Sequence, residues 1–311
     1  MHDGKRLRQI RLRGLNDPDP HLNKNEVYSL ELWRRIVEVY SKTAITKSED
    51  KLIALSGIAK LMADKIGGSG SPAEYVAGLW KNQLASQLLW KVDPDFDRLT
   101  KVFTTQTTAP ESYRAPSFSW ASINTETGKG ITTAEVTDTD LLLRVDDVHI
   151  TLETEGNPYG MVKSGRLSIW GKLRAAVLYK KPRGCFGWKL VGRGDLDGEV
   201  HTNVYLDCPE RDETRIFASD GSANDDAGIF IVPVAKGERT ASEESKYLTC
   251  LILQLERTDP SNELRRIGLT RLSPWADKIA MQDYKILDVS EGDQFMPHNG
   301  YEAGLHRITL V

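Results

Sequence analysis

The strongest constraint on this chain is a change of hydrophobic period near residue 116. Before it, apolar residues recur every three or four positions; after it, every second position. A period near 3.6 suits one face of a helix, and a period of 2 suits one face of a strand, so the two parts must fold differently. In the first part Val27, Leu30, Trp33, Val37 and Tyr40 line one helical face. The stretch TKSE, Thr46 to Glu49, has capping-box spacing, and Leu52, Leu55, Ala59, Met62 and Ile66 follow it at helical intervals up to Gly67-Gly68. SPAE, Ser71 to Glu74, repeats the capping device, and Val76, Trp80, Leu84 and Leu88 form a third stripe that runs to Trp90. The spacing predicts about three helices burying one another, with Trp33, Trp80 and Trp90 in their core.

Beyond residue 116, GRLSIWGKL and LILQLE alternate apolar with polar or small residues. Similar runs at 141–152, 174–180, 187–192, 200–207, 214–218, 228–234, 264–270, 279–288 and 305–310 predict many short strands, separated by Gly, Asp, Pro and Asn clusters. The fold class expected is α+β: a small helical unit followed by a β-rich sandwich or barrel. The organisation expected is a flexible polar lead at 1–26, a helical unit at 27–100 and an all-β domain at 101–311.

At the junction lies RAPSFSWASI, residues 114–123. Read with period two, it puts Phe118 and Trp120 on one face and Ser117, Ser119 and Ala121 on the other. That makes the aromatic pair core packing in preference to a stacking platform for a ligand.

Charge excludes little but favours no polyanion. The chain carries 41 basic and 44 acidic residues, a net charge of −3, so neither nucleic acid nor an anionic membrane is an expected partner. No run approaches the roughly 18 apolar residues of a membrane span, and MHDGKRLRQIRLRG lacks the apolar core of a signal peptide. The expected compartment is the cytoplasm; the basic cluster Lys5, Arg6, Arg8, Arg11 and Arg13 would be a nuclear signal if it is more than a solvated tail. Cys185, Cys208 and Cys250 are too scattered for a disulfide framework or a zinc site.

The candidates for chemistry are sparse. His149 stands near Asp146 and Asp147, which could orient an imidazole as a base, although a plain surface strand explains the same pattern. Asp220, Ser222, Asn224 and Asp226 alternate like the start of a calcium loop, but Asp225 occupies the position where such loops need Gly, and a solvated hairpin connection fits better. Arg193-Gly194-Asp195 is too short to carry weight. Phosphate-cradling glycine loops and the G-x-S-x-G nucleophile elbow do not occur. No catalytic residue is assigned, and no metal or cofactor is expected.

Several blocks in order resemble the C-terminal region of fungal heterokaryon incompatibility (HET) domain proteins. They are LWRRIVEVYSKTAITKSEDKLIALSGIAKLM (32–62), YVAGLWKNQLASQLLW (75–90), RAPSFSWASI (114–123), GRLSIWGKL (165–173) and LTCLILQLERTDPSNELRRIGLTRL (248–272). Phe118 replaces the first Trp of the usual Ser-Trp-Ser-Trp block. The HET module itself, marked in that family by Ser-Tyr-x-Trp-Gly, has no counterpart here, and the cell-death activity attributed to it is not carried over. The resemblance implies a non-catalytic interaction or regulatory protein with a protein partner, in one form a truncated or degenerate family member. The alternatives are a cofactor-independent enzyme or small-molecule binder of fungal secondary metabolism with a pocket in the β-domain, and a remnant with an incomplete fold.

Overall fold

The computed structural model describes residues 24–68, 70–134, 136, 141–192, 196, 198–218, 220, 222–237 and 247–311. The N-terminal basic cluster and Arg193-Gly194-Asp195 lie outside the described residues. The architecture is α+β.

The first helix, α1, spans Lys24–Tyr40 and buries Leu30, Trp33 and Val37 along the expected stripe. A 3₁₀ turn at Ser48–Lys51 leads to α2, Ser56–Gly67. The capping box expected at Thr46 to Glu49 does not form, since Lys47 holds the cap position and gives no side-chain cap. The end of α2 falls where the glycines predict it: Gly68 has φ +71° and donates its N–H to the Asp64 carbonyl.

The third helix expected over 71–90 is instead a hairpin and a single turn. Strands β1 (Tyr75–Val76) and β2 (Leu79–Trp80) pair Tyr75 with Trp80 across two central residues, Ala77 and Gly78. Both have positive φ, 47° and 98°, which closes a two-residue hairpin and cannot be continued as a right-handed helix. Gln83, at φ 53°, then precedes the one-turn helix α3, Leu84–Gln87. Val76, Trp80, Leu84 and Leu88 are all buried, but around a compact knot and not along one stripe.

Short strand pairs follow. β3 (Trp90–Val92) pairs with β8 (Ile131–Thr133), β4 (Asp95–Phe96) with β5 (Phe103–Thr104), and β6 (Thr107–Thr108) with β7 (Asn124–Thr125). The segment expected to be wholly helical up to residue 100 therefore already contains strands.

The large sheet begins with β9 (Arg144–Leu152), β10 (Val162–Gly171), β11 (Arg174–Lys181) and β12 (Cys185–Leu190). It continues with β13 (Val204–Leu206), β14 (Ile229–Lys236), β15 (Leu248–Arg257), β16 (Glu263–Leu272), β17 (Tyr301–Glu302) and β18 (Leu305–Leu310). Its order is β12-β11-β14-β15-β16-β18-β10-β9, with β13 also on β16 and β17 on β18. The sheet forks at β16: Gly268 to Thr270 pair with β13, whereas Glu263 and Leu264 pair in parallel with β18. On the β13 side the circuit closes, because His201 and Trp188 exchange both backbone hydrogen bonds, at 2.9 and 3.0 Å. A small barrel results. Its interior is filled by Leu178, Trp188, Leu206, Ile231, Cys250 and Ile252, and the Trp188 indole donates to Thr270 Oγ1 at 2.8 Å.

Two of the expected strands are helical. Of the stretch 214–218, residues up to Ile216 close α4, Pro209–Ile216, and Phe217 alone is extended, bridging Ala223; Pro209 stands in the first turn of the helix together with Glu210 and Asp212. Residues 279–288 form α5, Lys278–Met281, and a kinked 3₁₀ stretch, Gln282–Leu287. Their buried residues, Ile216, Ala280 and Ile286, join the barrel core from these helical segments.

A second core unites the two halves of the chain. Leu30, Trp33, Leu52, Trp80, Trp90 and Trp120 pack in one cluster with Leu167, Ile169, Leu251, Leu264, Ile308 and Leu310 of the sheet. Each fully buried side chain of this size contributes roughly 1.5–3 kcal/mol. RAPSFSWASI is at its centre, but not as a strand. Ser119 N–H bonds to the Pro116 carbonyl, and Trp120–Ser122 is a 3₁₀ turn. Phe118 and Trp120 are core residues; so are Ser119 and Ala121, at 0% exposure, which overturns the two-faced reading. Ser119 is tolerated there because its hydroxyl donates to the Ala77 carbonyl and accepts from Ala121 N–H. The Gly78 carbonyl accepts from both Trp120 Nε1, at 2.8 Å, and Trp33 Nε1, at 3.3 Å. Trp90 Nε1 donates to the Phe118 carbonyl at 3.0 Å.

Candidate functional site

A cleft of about 890 Å³ opens where RAPSFSWASI meets the forked sheet. One wall is the loop from Ala109 to Ser117; the floor is the row of strands β9, β10, β16 and β15, and α4 contributes Arg211. Its lining mixes apolar surface with charged side chains, five arginines against three glutamates, in a chain whose net charge is −3.

The wall is held by side chains that the quoted motif supplies. Arg114, 5% exposed, donates to the carbonyls of Ala121 and Ile123 and to Asn124 Oδ1, tying the loop to the 3₁₀ turn. Burial lowers its guanidinium pKa to about 10. Ser117 clips the loop to the sheet: its N–H and hydroxyl both donate to the Val311 carbonyl, and its oxygen accepts from Arg266 N–H at 2.9 Å. Gly165 is needed where this loop lies on β10, since a Cβ there would stand 2.8 Å from Pro116 and Ile150 side-chain atoms. Tyr113 leans over the same point, its phenol pushed up to about 12 by burial, an effect opposed by a backbone hydrogen bond from Gly165.

The floor is a row of charges set by strand register. Arg257 lies opposite Glu263 on neighbouring β15 and β16, and Arg166 lies opposite His149 on neighbouring β10 and β9. Glu263 joins the two pairs, accepting from Arg166 Nη2 at 2.5 Å and standing 3.8 Å from Arg257 Nη1. The Glu263 side chain is 6% exposed, whereas both guanidinium-bearing side chains are 60% exposed. Deeper in the cleft, Arg265 donates to Asp212 and Gln254 at 2.8 Å and to Glu256 at 2.5 Å, and Arg211 grips the same Asp212. Burial raises the Glu256 carboxyl, but the hydrogen bond from Arg215 and the charge of Arg265 outweigh it and leave the pKa lowered. The buried carboxylates thus fix the guanidinium groups in place.

Beneath the cleft, Arg266 points the other way. It lies 3.6 Å over the Trp90 ring and reaches Asp207 Oδ1 at 3.2 Å. Burial pushes the Asp207 carboxyl up to about 6, against the opposing charge of Arg266. The pair belongs to the core, not to the cleft.

The candidates for chemistry do not assemble into catalytic pairs. His149 lines the cleft and contacts Thr151 Oγ1 at 3.5 Å, while Asp146 is engaged by Arg307 at 2.7 Å. In the loop with calcium-like spacing, Asp220 and Asn224 side-chain oxygens accept N–H groups of their own loop, from Ser222 and Asp226. Among the described residues Cys185, Cys208 and Cys250 are free thiols, and no group of His, Cys, Asp and Glu has the arrangement to hold a metal ion. No helix among the described residues is long and apolar enough to cross a membrane. The sequence reading missed Arg166, Arg257, Arg265 and Glu263 as a group: they lie inside the quoted blocks GRLSIWGKL and LTCLILQLERTDPSNELRRIGLTRL, but nothing local in those blocks marks their charges as neighbours.

Compared with protein-family models, curated proteins and solved structures, the chain matches none.

Proposed function

We propose that this chain is a non-catalytic interaction or regulatory protein related to the C-terminal region of HET proteins, and that its cleft docks an acidic segment of a partner protein. The observation that carries the reading is the cleft itself: open, and lined by more guanidinium than carboxylate groups inside a chain of net negative charge. A local cationic patch on an acidic protein orients an acidic partner by charge complementarity. The blocks that resemble HET proteins support a scaffold role for themselves, since Trp33, Gly78, Trp120 and Arg266 are used in packing beneath the cleft. The alternative, a small-molecule enzyme with its pocket inside the β-domain, is less favoured, because the barrel interior is occupied by Trp188 and its neighbours.

Titration of a fluorescein-labelled decaglutamate, with decalysine as the control, tests the reading by anisotropy at low salt. Binding of decaglutamate alone, weakening as salt rises, is the expected result. Equal binding of both peptides, or of neither, overturns it.

A further inference from the structure

We propose that the cleft recognises a phosphorylated side chain, a phosphoserine or phosphothreonine on the docked segment. This inference rests on the docking reading above and names the chemistry that reading leaves open. Its basis is the row Arg257, Glu263, Arg166 and His149. Strand register places Arg257 beside Glu263 and Arg166 beside His149, and the Arg166–Glu263 ion pair bridges the two. The carboxylate lies underneath at 6% exposure while the two arginine side chains stand at 60%. One buried carboxylate neutralises one of the two guanidinium charges and leaves the other, and both arginines line the cleft.

Geometry favours phosphate over carboxylate in such a setting. A carboxylate is planar and satisfies one guanidinium fork bidentately; a phosphate has three terminal oxygens in a tetrahedral array and can engage two forks in different planes at once. It also carries close to two negative charges at neutral pH, where a carboxylate carries one. Hydroxyl donors stand in the next row, where Ser164 lies opposite Thr151, both lining the cleft. A nucleic-acid backbone fits less well. Each phosphodiester is a monoanion in a long track, and this cleft is bounded by Glu111 and Glu256 on a protein of net negative charge.

The test is anisotropy titration of the full chain with fluorescein-labelled Gly-Ala-phosphoSer-Ala-Gly. Counterparts carrying Ser or Glu at the centre, an oligothymidylate of ten nucleotides, and competition by inorganic phosphate complete the set. The phosphopeptide should bind at least tenfold more tightly than the Ser and Glu peptides and be displaced by phosphate. Arg257→Gln should remove most of that preference at unchanged melting temperature, Arg166→Gln should remove it with a lowered melting temperature because Glu263 loses its nearest cation, and Arg257→Lys should retain only part of the preference, because a point charge replaces a fork. Glu and phosphoserine peptides binding alike would overturn the phosphate inference while leaving acidic docking intact. Tighter binding of the oligothymidylate would overturn it in favour of nucleic acid, and no binding by any probe would overturn both.

Discussion

Lys51 offers the sharpest test of how the core is built. It is 2% exposed, directly beneath RAPSFSWASI, with Nζ donating to the Ile123 carbonyl at 2.6 Å and lying 5.3 Å from the Trp120 ring centre. Burial, reinforced by the charge of Arg114, lowers its pKa from 10.5 to about 7. The folded value lies below the unfolded one, so between about pH 7 and 10.5 the unfolded chain holds a proton that the folded chain has lost. Wild-type stability therefore rises with pH across that window, and below it the fold carries the full cost of a buried ammonium. Each pH unit within the window is worth about 1.4 kcal/mol, so the gain from pH 6 to pH 9 is about 3 kcal/mol. Lys51→Met removes the titration but keeps the packed stem, and the Ile123 carbonyl retains Arg114 Nη2 as a donor at 2.9 Å. Urea unfolding of both proteins at pH 6, 7, 8 and 9 isolates the effect, since every other titrating group cancels in the difference. The stability of the variant relative to wild type should fall by about 3 kcal/mol from the lowest to the highest pH. A difference that stays flat within about 0.5 kcal/mol would refute the argument and show that Lys51 keeps its charge by reaching water.

Other expectations concern the same knot and the pair beneath the cleft. Trp120→Ala should cost about 3–5 kcal/mol in urea unfolding, as for a large buried aromatic. Trp120→Phe should cost far less, about 1 kcal/mol for the lost hydrogen bond, because Trp33 still serves the Gly78 carbonyl. Gly78→Ala should lower the melting temperature, since φ is +98° and the new Cβ would stand 2.9 Å from Trp120 Nε1. Arg266→Met should destabilise by about 3–5 kcal/mol by leaving Asp207 buried without its cation, and adding Asp207→Asn should recover part of that loss. A double variant as unstable as the single one would show that the cost comes from the Trp90 stack instead.

Val76, Trp80, Leu84 and Leu88 have helical spacing and all are buried, yet φ values at Ala77 and Gly78 forbid the helix. A stripe at i, i+4 reports burial, and where a segment is buried on every side it ceases to report geometry. The same limit applies to Phe118 and Trp120, whose burial was legible from their type while the intervening Ser119 was not expected inside. The strands of the large sheet were legible because they alternate between two faces or run continuously apolar between turn residues. The stretch at 209–216 was missed because its signal is a proline in the first turn of a charged helix, with little apolar pattern to mark it.

The α+β class, the aromatic residues that enter the core and the positions of most long strands are readable from the chain alone. These follow from local period and side-chain size. Long-range packing is what puts the helical lead and the sheet into one core, forks β16 between β13 and β18, and brings Arg166 beside Glu263 and Arg257. Arg257 and Glu263 flank one hairpin, but Arg166 comes from a strand 97 positions from Glu263, and its arrival beside them depends on strand order and register, which short-range pattern does not encode.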